Sequence, residues 1–357
     1  MAAPQSILYV GPKSGTCLQR ANALRSLGHA VEHVEAGVPD HGWRRQLYRL
    51  GHHVRRPPDA YGTNAAILRA IGRQRFDVLW VDKGLAIWPA TLRRARAMQP
   101  SLVCVAYSPD DMASPDNTSI AWERCVSLYD VHVTTKSFNV SELPELGARD
   151  VFFVDNAFDP EIHHPLELGE SERRRFAADV GFVGTFERER AETMLWLARQ
   201  GVCVTVHGAR WERFRGRHEN LVIRREVLDG LDYARAVNAT KINLGFLRKA
   251  YRDLQTTRSI EIPACGGFLL AERTDEHRRL FEEGAEAEFF SSRDELAAKI
   301  RHYLAHDAER RRIAEAGGRR CLEAGYSNAQ RLASVFDHLE RRGAGALRGR
   351  AAPTGPL

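Results

Sequence analysis

Residues 241–272 read KINLGFLRKAYRDLQTTRSIEIPACGGFLLAE. The apolar run KINLGFL has the composition of a buried strand and leads into a polar loop holding Arg248, Lys249, Arg252 and Asp253. The spacing of TTRSIEIPACG predicts a helix that starts near Thr256-Thr257 and ends at Cys265-Gly266-Gly267. Arg258 then lies in its first turn and Glu261 one turn later. A second apolar run, GFLLAE, follows. The first turn of a helix presents free N–H groups and about half a positive charge, a setting suited to a diphosphate.

Working outward, the same alternation fills the chain. SILYVG, AVEHVEA, FDVLWVD, SLVCVAYS, DVHVTT and DVFFVD are apolar on nearly every residue, as parallel strands covered on both faces are. Between them lie helical stretches such as CLQRANALRSLG, closed by Gly28, and PATLRRARAMQ, opened by Pro89. A charged stretch, LELGESERRRF, follows His164-Pro165. The alternation then restarts with DVGFVGT, VCVTVHG, NLVIRREV, KINLGFL, GFLLAE and AEFFSS, and residues 293–339 read as helical throughout. The expectation is an α/β protein of two Rossmann-like, doubly wound domains facing across a cleft, at residues 1–160 and 161–340. Residues 341–357, with four Arg and no acid, read as a disordered tail.

Composition excludes several classes. The 357 residues are 43% hydrophobic and 27% charged, as in ordinary globular domains. The net charge of +6 comes largely from the final segment, and the arginines are dispersed along the chain. There is no basic stripe with interleaved aromatics, so nucleic acid is not an expected partner. Weak association with an anionic membrane surface stays open. No apolar run approaches the length of a membrane span, and MAAPQSILYVGP lacks the features of a signal peptide, so a cytoplasmic location is expected. The six cysteines are far apart, with no zinc spacing, and read as reduced small hydrophobes. The oligomeric state is not legible.

Other candidate positions sit where predicted strands end. Gly11-Pro12-Lys13-Ser14-Gly15 follows the first strand, and its glycines would let backbone amides approach a phosphate; an ordinary strand–helix turn is the alternative. Glu32 or Glu35 could stand in for a ribose-binding acid. Asp110 and Asp111, in SPDDM, are adjacent carboxylates able to orient a hydroxyl-bearing substrate or act as a base, or else to cap a turn. Gly184-Thr185 forms a second candidate phosphate turn, with Arg190 in the first turn of the next helix. The pairs His52-His53 and His163-His164 read as loop residues. His302 and His306 are spaced i,i+4 but have no third ligand nearby in sequence, so no metal is expected.

FVGTFERER, KINLGFL, RDLQTTRSIEIPACGGFLLAERTDEH, LFEEGAEAEFF and DELAAKIRHYLAHDAERRRIAEAG resemble the C-terminal domain of GT-B glycosyltransferases, group 1 related. The likeness is to those of the CgeB, spore-maturation-protein type. YSPDDM, DVHVTTKSFNVSELPELGA and VDNAFDPEIHHP extend the resemblance over about residues 5–340. It implies retaining, metal-independent transfer of a sugar, a hexosyl group by default, from a nucleotide-diphosphate donor. The acceptor would be a glycan, a protein or a small molecule, and no cofactor is expected. By resemblance Glu261 holds the ribose hydroxyls. Asp253, eight residues earlier and shorter than the usual Glu, touches the donor sugar with backbone near Gly11 and Gly15, and Asp110 and Asp111 face the acceptor. Arg190 keeps a diphosphate-clamping charge, whereas Thr185 replaces a cation. Arg258, with Thr256, Thr257 and Gly184, is expected to make good that loss. Two other readings are a non-catalytic nucleotide-sugar-binding protein and a nucleotide-sugar epimerase of the same fold.

Overall fold

A computed structural model describes residues 3–39 and 41–350. Among the described residues, twelve strands occupy the positions that the apolar runs predict: β1 Ser6–Gly11, β2 Ala30–Glu35, β3 Val78–Asp82, β4 Val103–Ser108, β5 Val131–Thr134, β6 Val151–Phe153, β7 Ala178–Val183, β8 Val204–His207, β9 Leu221–Arg224, β10 Thr240–Gly245, β11 Leu269–Glu272 and β12 Glu288–Phe290. The helices are α1 Gly15–Ser26, α2 Gly42–His53, α3 Thr63–Arg73, α4 Pro89–Met98, α5 Ile120–Glu123, α6 Asn139–Glu145, α7 Glu170–Phe176, α8 Arg188–Arg199, α9 Gly230–Ala239, α10 Thr257–Ala264, α11 Asp275–Leu280, α12 Arg293–Ala305, α13 Asp307–Glu323 and α14 Asn328–Arg350. None of them, among the described residues, is long and apolar enough to cross a membrane.

The chain forms two units, one built from residues up to Asp155 and from Asn328 onward, the other from Asn156 to Ser327. The expected segments 1–160 and 161–340 therefore do not each form one body. Helix α14 returns to the first unit because Leu332, Val335 and Phe336 complete an apolar layer with Tyr9 and Trp80 of its sheet. The helix runs on to Arg350, into the stretch expected to be a disordered tail; residues 351–357 lie outside the described ones. The charged stretch after His164-Pro165 contains α7. The long helical stretch is interrupted after α13, where Gly325 takes a left-handed conformation (φ +71°).

Both sheets are parallel and six-stranded, but their orders differ. The first is β2-β1-β3-β4-β5-β6, and the second is β12-β11-β10-β7-β8-β9. Each strand alternates between two apolar layers. In the first unit Leu8, Val10 and Leu79 meet α3 and α4, while Ile7, Tyr9 and Trp80 meet α1 and α14. In the second, Val180, Ile242 and Leu244 meet α8 and α12, while Leu269, Ala271 and Phe289 meet α9 and α10. The chain reverses its direction of growth between β1 and β3 in one sheet and between β7 and β10 in the other. At such switch points the loops leaving neighbouring strands diverge and open a crevice at the carboxyl edge. The second sheet has the dinucleotide-fold order, and the strand entering α10 lies beside its switch point.

Candidate functional site

At the switch point of the second unit, β7 leads into Gly184. Its N–H donates to the His207 carbonyl (2.8 Å), and its carbonyl accepts from the Trp211 indole N–H (2.9 Å), so the turn is held at both polar groups. A Cβ on Gly184 would lie 2.7 Å from the Phe182 ring and 3.6 Å from Arg258 Cζ. Glycine is thus what lets the Phe182 ring pack under the end of β7, with the Arg258 guanidinium beside it. Thr185 is exposed beside it.

Arg258 comes from the first turn of α10, as its position after Thr256-Thr257 implies. The start of this helix is fixed by a directional relay. The Thr256 N–H donates to Ser259 Oγ (3.1 Å), the Ser259 hydroxyl donates to His277 Nε2 (2.7 Å), and His277 Nδ1–H donates to the Glu272 carbonyl (2.7 Å). The carbonyl can only accept, which sets the histidine tautomer and every donor upstream of it. Burial pushes the His277 pKa down to about 4, so the ring is neutral at pH 7. The amides of Thr257 and Arg258 remain first-turn donors outside the helix ladder. Arg258 Nε is buried and, among the described residues, has no hydrogen-bond partner. A buried guanidinium N–H left without an acceptor costs about 1–3 kcal/mol, so the position is poised for an anion.

Glu261 follows one turn later. His163 Nε2 lies 3.8 Å from its Oε1, and His163 Nδ1 accepts the Asp159 N–H (3.0 Å), so a neutral His163 carries its proton on Nε2, toward Glu261. The His163 ring stands edge-on to Tyr233 at 5.7 Å, and Tyr233 is influenced by both Glu261 and Arg258. Burial, with the nearby Glu261 charge, holds the Tyr233 phenol well above its ordinary pKa. His163 is therefore no simple loop residue: it is buried against the expected ribose-binding acid. A small cavity lined by Gly181, Val183, Tyr233 and Arg258 has about 10 Å³ of room, enough for one water and too small for a nucleotide.

Arg190 lies in the first turn of α8, paired with Glu187 (2.6 Å) and stacked over Phe182 (5.3 Å). With Lys249 it acts on Glu272, whose carboxylate accepts the Leu247 N–H at 2.7 Å. Burial raises the Glu272 pKa, against the pull of that hydrogen bond and of the two cations. The carboxyl edge of β7, β10 and β11 thus gathers Gly184, Arg190, Leu247, Arg258 and Glu272. The sequence reading misses Glu272, His277 and Tyr233, although the GFLLAE run does place an acid at the end of a strand.

Asp253 is placed otherwise than expected for a group touching a sugar. Its side chain has 0% exposure and accepts from Arg248 Nε at 2.9 Å. Arg252 before it adopts a left-handed conformation (φ +53°), which turns the loop to bury that carboxylate.

In the first unit, Gly11 packs against Asp82, where a Cβ would lie 3.1 Å from the Asp82 Cβ. Asp82 is buried, receives Arg20 (2.7 Å) and the Tyr9 hydroxyl (2.6 Å), and anchors this edge. The Lys13 N–H already donates to Glu35 (3.1 Å), so the turn between Gly11 and Gly15 offers an anion fewer donors than its glycines suggest. Glu32 pairs with Arg73 at 2.6 Å. Asp110 and Asp111 separate in role. Asp110 pairs with Lys83 (2.6 Å) at the carboxyl edge, whereas Asp111 is buried, accepts from Asn139 Nδ2 (2.9 Å) and the Ala113 N–H (3.2 Å), and braces its loop.

Among the described residues, His302, His306 and Glu309 form one group with ligand atoms within 4.8 Å of one another. The third ligand absent from the i,i+4 reading comes from the start of α13. Cys203 is exposed, just ahead of β8, unlike the buried Cys104, Cys125, Cys265 and Cys321.

Residues 188–337 match a family model described as glycosyl transferase-like. No curated protein sequence matches the chain. Among solved structures, a glycosyltransferase from Rickettsia africae ESF-5 is similar with a TM-score of 0.65 at 12% identity, covering 95% of this chain and 99% of that one. The Anabaena protein HepE in complex with UDP-glucose is similar at TM-score 0.60 and 14% identity, covering 94% and 100%. A UDP-N-acetylglucosamine 2-epimerase-like protein from Listeria monocytogenes reaches 0.55 at 13%, covering 95% and 98%. The chain has the GT-B fold, with its two parallel α/β units.

Proposed function

We propose that the protein transfers a glycosyl group, a hexose by default, from a nucleotide-diphosphate sugar to a hydroxyl-bearing acceptor, with retention and without a metal. The observation that carries this reading is Arg258: a half-buried guanidinium at the first turn of α10, its Nε without a hydrogen-bond partner among the described residues, set against Gly184 at the dinucleotide-fold switch point. A diphosphate would take Arg258 and the amides of Thr257 and Arg258, with Arg190 adding charge. Glu261, with His163 beside it at 3.8 Å, would accept the ribose hydroxyls. Asp253 enters as the residue that positions Arg248. In the first unit Asp110, held by Lys83, is the acceptor-side carboxylate, and Asp111 supports its loop. The family match and the UDP-glucose bound to HepE support a nucleotide-sugar donor. The CgeB-type subfamily remains part of this proposal through its motifs alone.

In this mechanism the bond from the anomeric carbon to the diphosphate oxygen breaks as the acceptor oxygen bonds to the same face. The acceptor's proton passes to the departing phosphate oxygen. The protein's part is to orient the reactants and to neutralise the charge that develops on the leaving group. The test is incubation of purified protein with a panel of nucleotide-diphosphate sugars, following nucleoside diphosphate release. One donor is expected to turn over, and Glu261→Gln to raise its KM about tenfold. Epimerised donor without nucleotide release would replace this reading with the epimerase. Binding without turnover across donors and acceptors would replace it with a non-catalytic binder.

A further inference from the structure

Helix α2 and the turn after it have the sequence HGWRRQLYRLGHHVRRPP from residue 41 to 58, with five Arg and no acid. Most of this helix stands in solvent. Tyr48 is its only buried residue, and the return of the chain at Arg56–Pro58 clamps its end against Gly51, where a Cβ would lie 2.7 Å from the Arg56 carbonyl oxygen. Trp43 (68% exposed), Leu47 (48%), Leu50 (64%) and Val54 (57%) stand in solvent. At 3.6 residues per turn these four fall within about 60° of arc, and Tyr48 lies about 140° round from Trp43. The apolar stripe therefore points away from the body of the unit. Arg44, whose guanidinium lies over the Trp43 ring at 5.6 Å, and Arg49 lie on either side of the stripe, about 100° and 240° round from Trp43, Arg45 lies opposite it, and the exposed Arg56 follows the end of the helix. Arg55 is tied to Glu123.

We propose that α2 is an interfacial anchor for an anionic lipid bilayer. Trp43, Leu47, Leu50 and Val54 would enter the boundary between headgroups and acyl chains, and Arg44, Arg49 and Arg56 would meet the lipid phosphates. Charge selects this occupant. An apolar partner face would be met equally well by a neutral helix, whereas a run of arginines without acids beside an apolar stripe matches an anionic surface. On the helix, His52 lies close enough to Lys83 for that charge to depress its pKa, second to burial, so the anchor adjoins the loops at the carboxyl edge of β3 and β4. The inference stands apart from the transfer reading, because lipid binding needs neither donor nor acceptor.

The experiment is co-sedimentation of the full-length protein with phosphatidylcholine vesicles, with and without phosphatidylglycerol. The expected result is partitioning at least tenfold stronger with the anionic lipid. It should fall at least tenfold in Leu47→Glu/Leu50→Glu and, separately, in Arg44→Gln/Arg49→Gln/Arg56→Gln, with unchanged Tm and circular dichroism in both variants. These exposed sites carry little of the fold, so loss of binding would not reflect unfolding. Equal partitioning onto both vesicle types, or undiminished binding by both variants, would overturn the proposal. So would concentration-dependent self-association, abolished by Leu47→Glu/Leu50→Glu, in a protein that ignores vesicles; the stripe would then be an interface between copies.

Discussion

His277 shows how one buried side chain governs a site it never touches. Its Nδ1–H is committed to the Glu272 carbonyl and its Nε2 to Ser259, so it joins the end of β11 to the start of α10 only while neutral. Its folded pKa of about 4 lies below the ordinary value of 6.5, so the unfolded chain takes up the proton first as pH falls. Stability from this group is complete above about pH 6.5 and is lost progressively down to about pH 4, about 3 kcal/mol in all. Urea unfolding of wild type and His277→Gln at pH 7 and pH 4.5 checks this: the gap between the two proteins should shrink at the lower pH. A gap independent of pH would mean that the histidine does not carry the linkage. Asp253 is a second case. Asp253→Asn should lower stability and disorder the Arg248 loop, raising donor KM more than it lowers kcat. Loss confined to kcat would restore direct contact with the sugar.

At the scale of elements, the turn between β7 and α8 is built by close backbone approach. A Cβ on Gly208 would overlap the Gly184 carbonyl oxygen, and one on Gly184 would displace the Phe182 ring, over which Arg190 is stacked. Gly208→Ala should therefore cost about 2 kcal/mol or more, and Gly184→Ala should weaken nucleotide binding about tenfold with a smaller loss of stability; thermal melts with and without UDP separate the two. The strands are legible in the sequence because parallel strands covered on both faces must be apolar at nearly every position. The start of α10 is legible because Thr256-Thr257 supplies the cap of a helix leaving a buried strand. Helix α2 is not, since apart from Tyr48 its apolar residues form a narrow stripe among arginines and stand in solvent. Nor is the burial of Asp253, which depends on the left-handed turn at Arg252, or the approach of His163 to Glu261, which joins residues 98 positions apart.

For the whole molecule, the destination of the last helix decides what each unit contains. Its amphipathic pattern marks α14 as a helix without saying which sheet it covers, and the choice falls to the fit of Phe336 against Trp80 (ring centroids 6.2 Å) and His29 (4.3 Å). Phe336→Ala should cost the first unit about 3–5 kcal/mol and leave the second unit's unfolding transition unchanged, as calorimetry can show. The central claim concerns the whole protein as a receptor for a nucleotide-diphosphate donor. Calorimetric titration of wild type and Arg258→Ala with UDP and with uridine addresses it most directly. Wild type should bind UDP well above uridine, and Arg258→Ala should lose about 10–100-fold for UDP while keeping its affinity for uridine. Equal losses for both ligands, or no discrimination between them in wild type, would contradict a diphosphate docked at the first turn of α10.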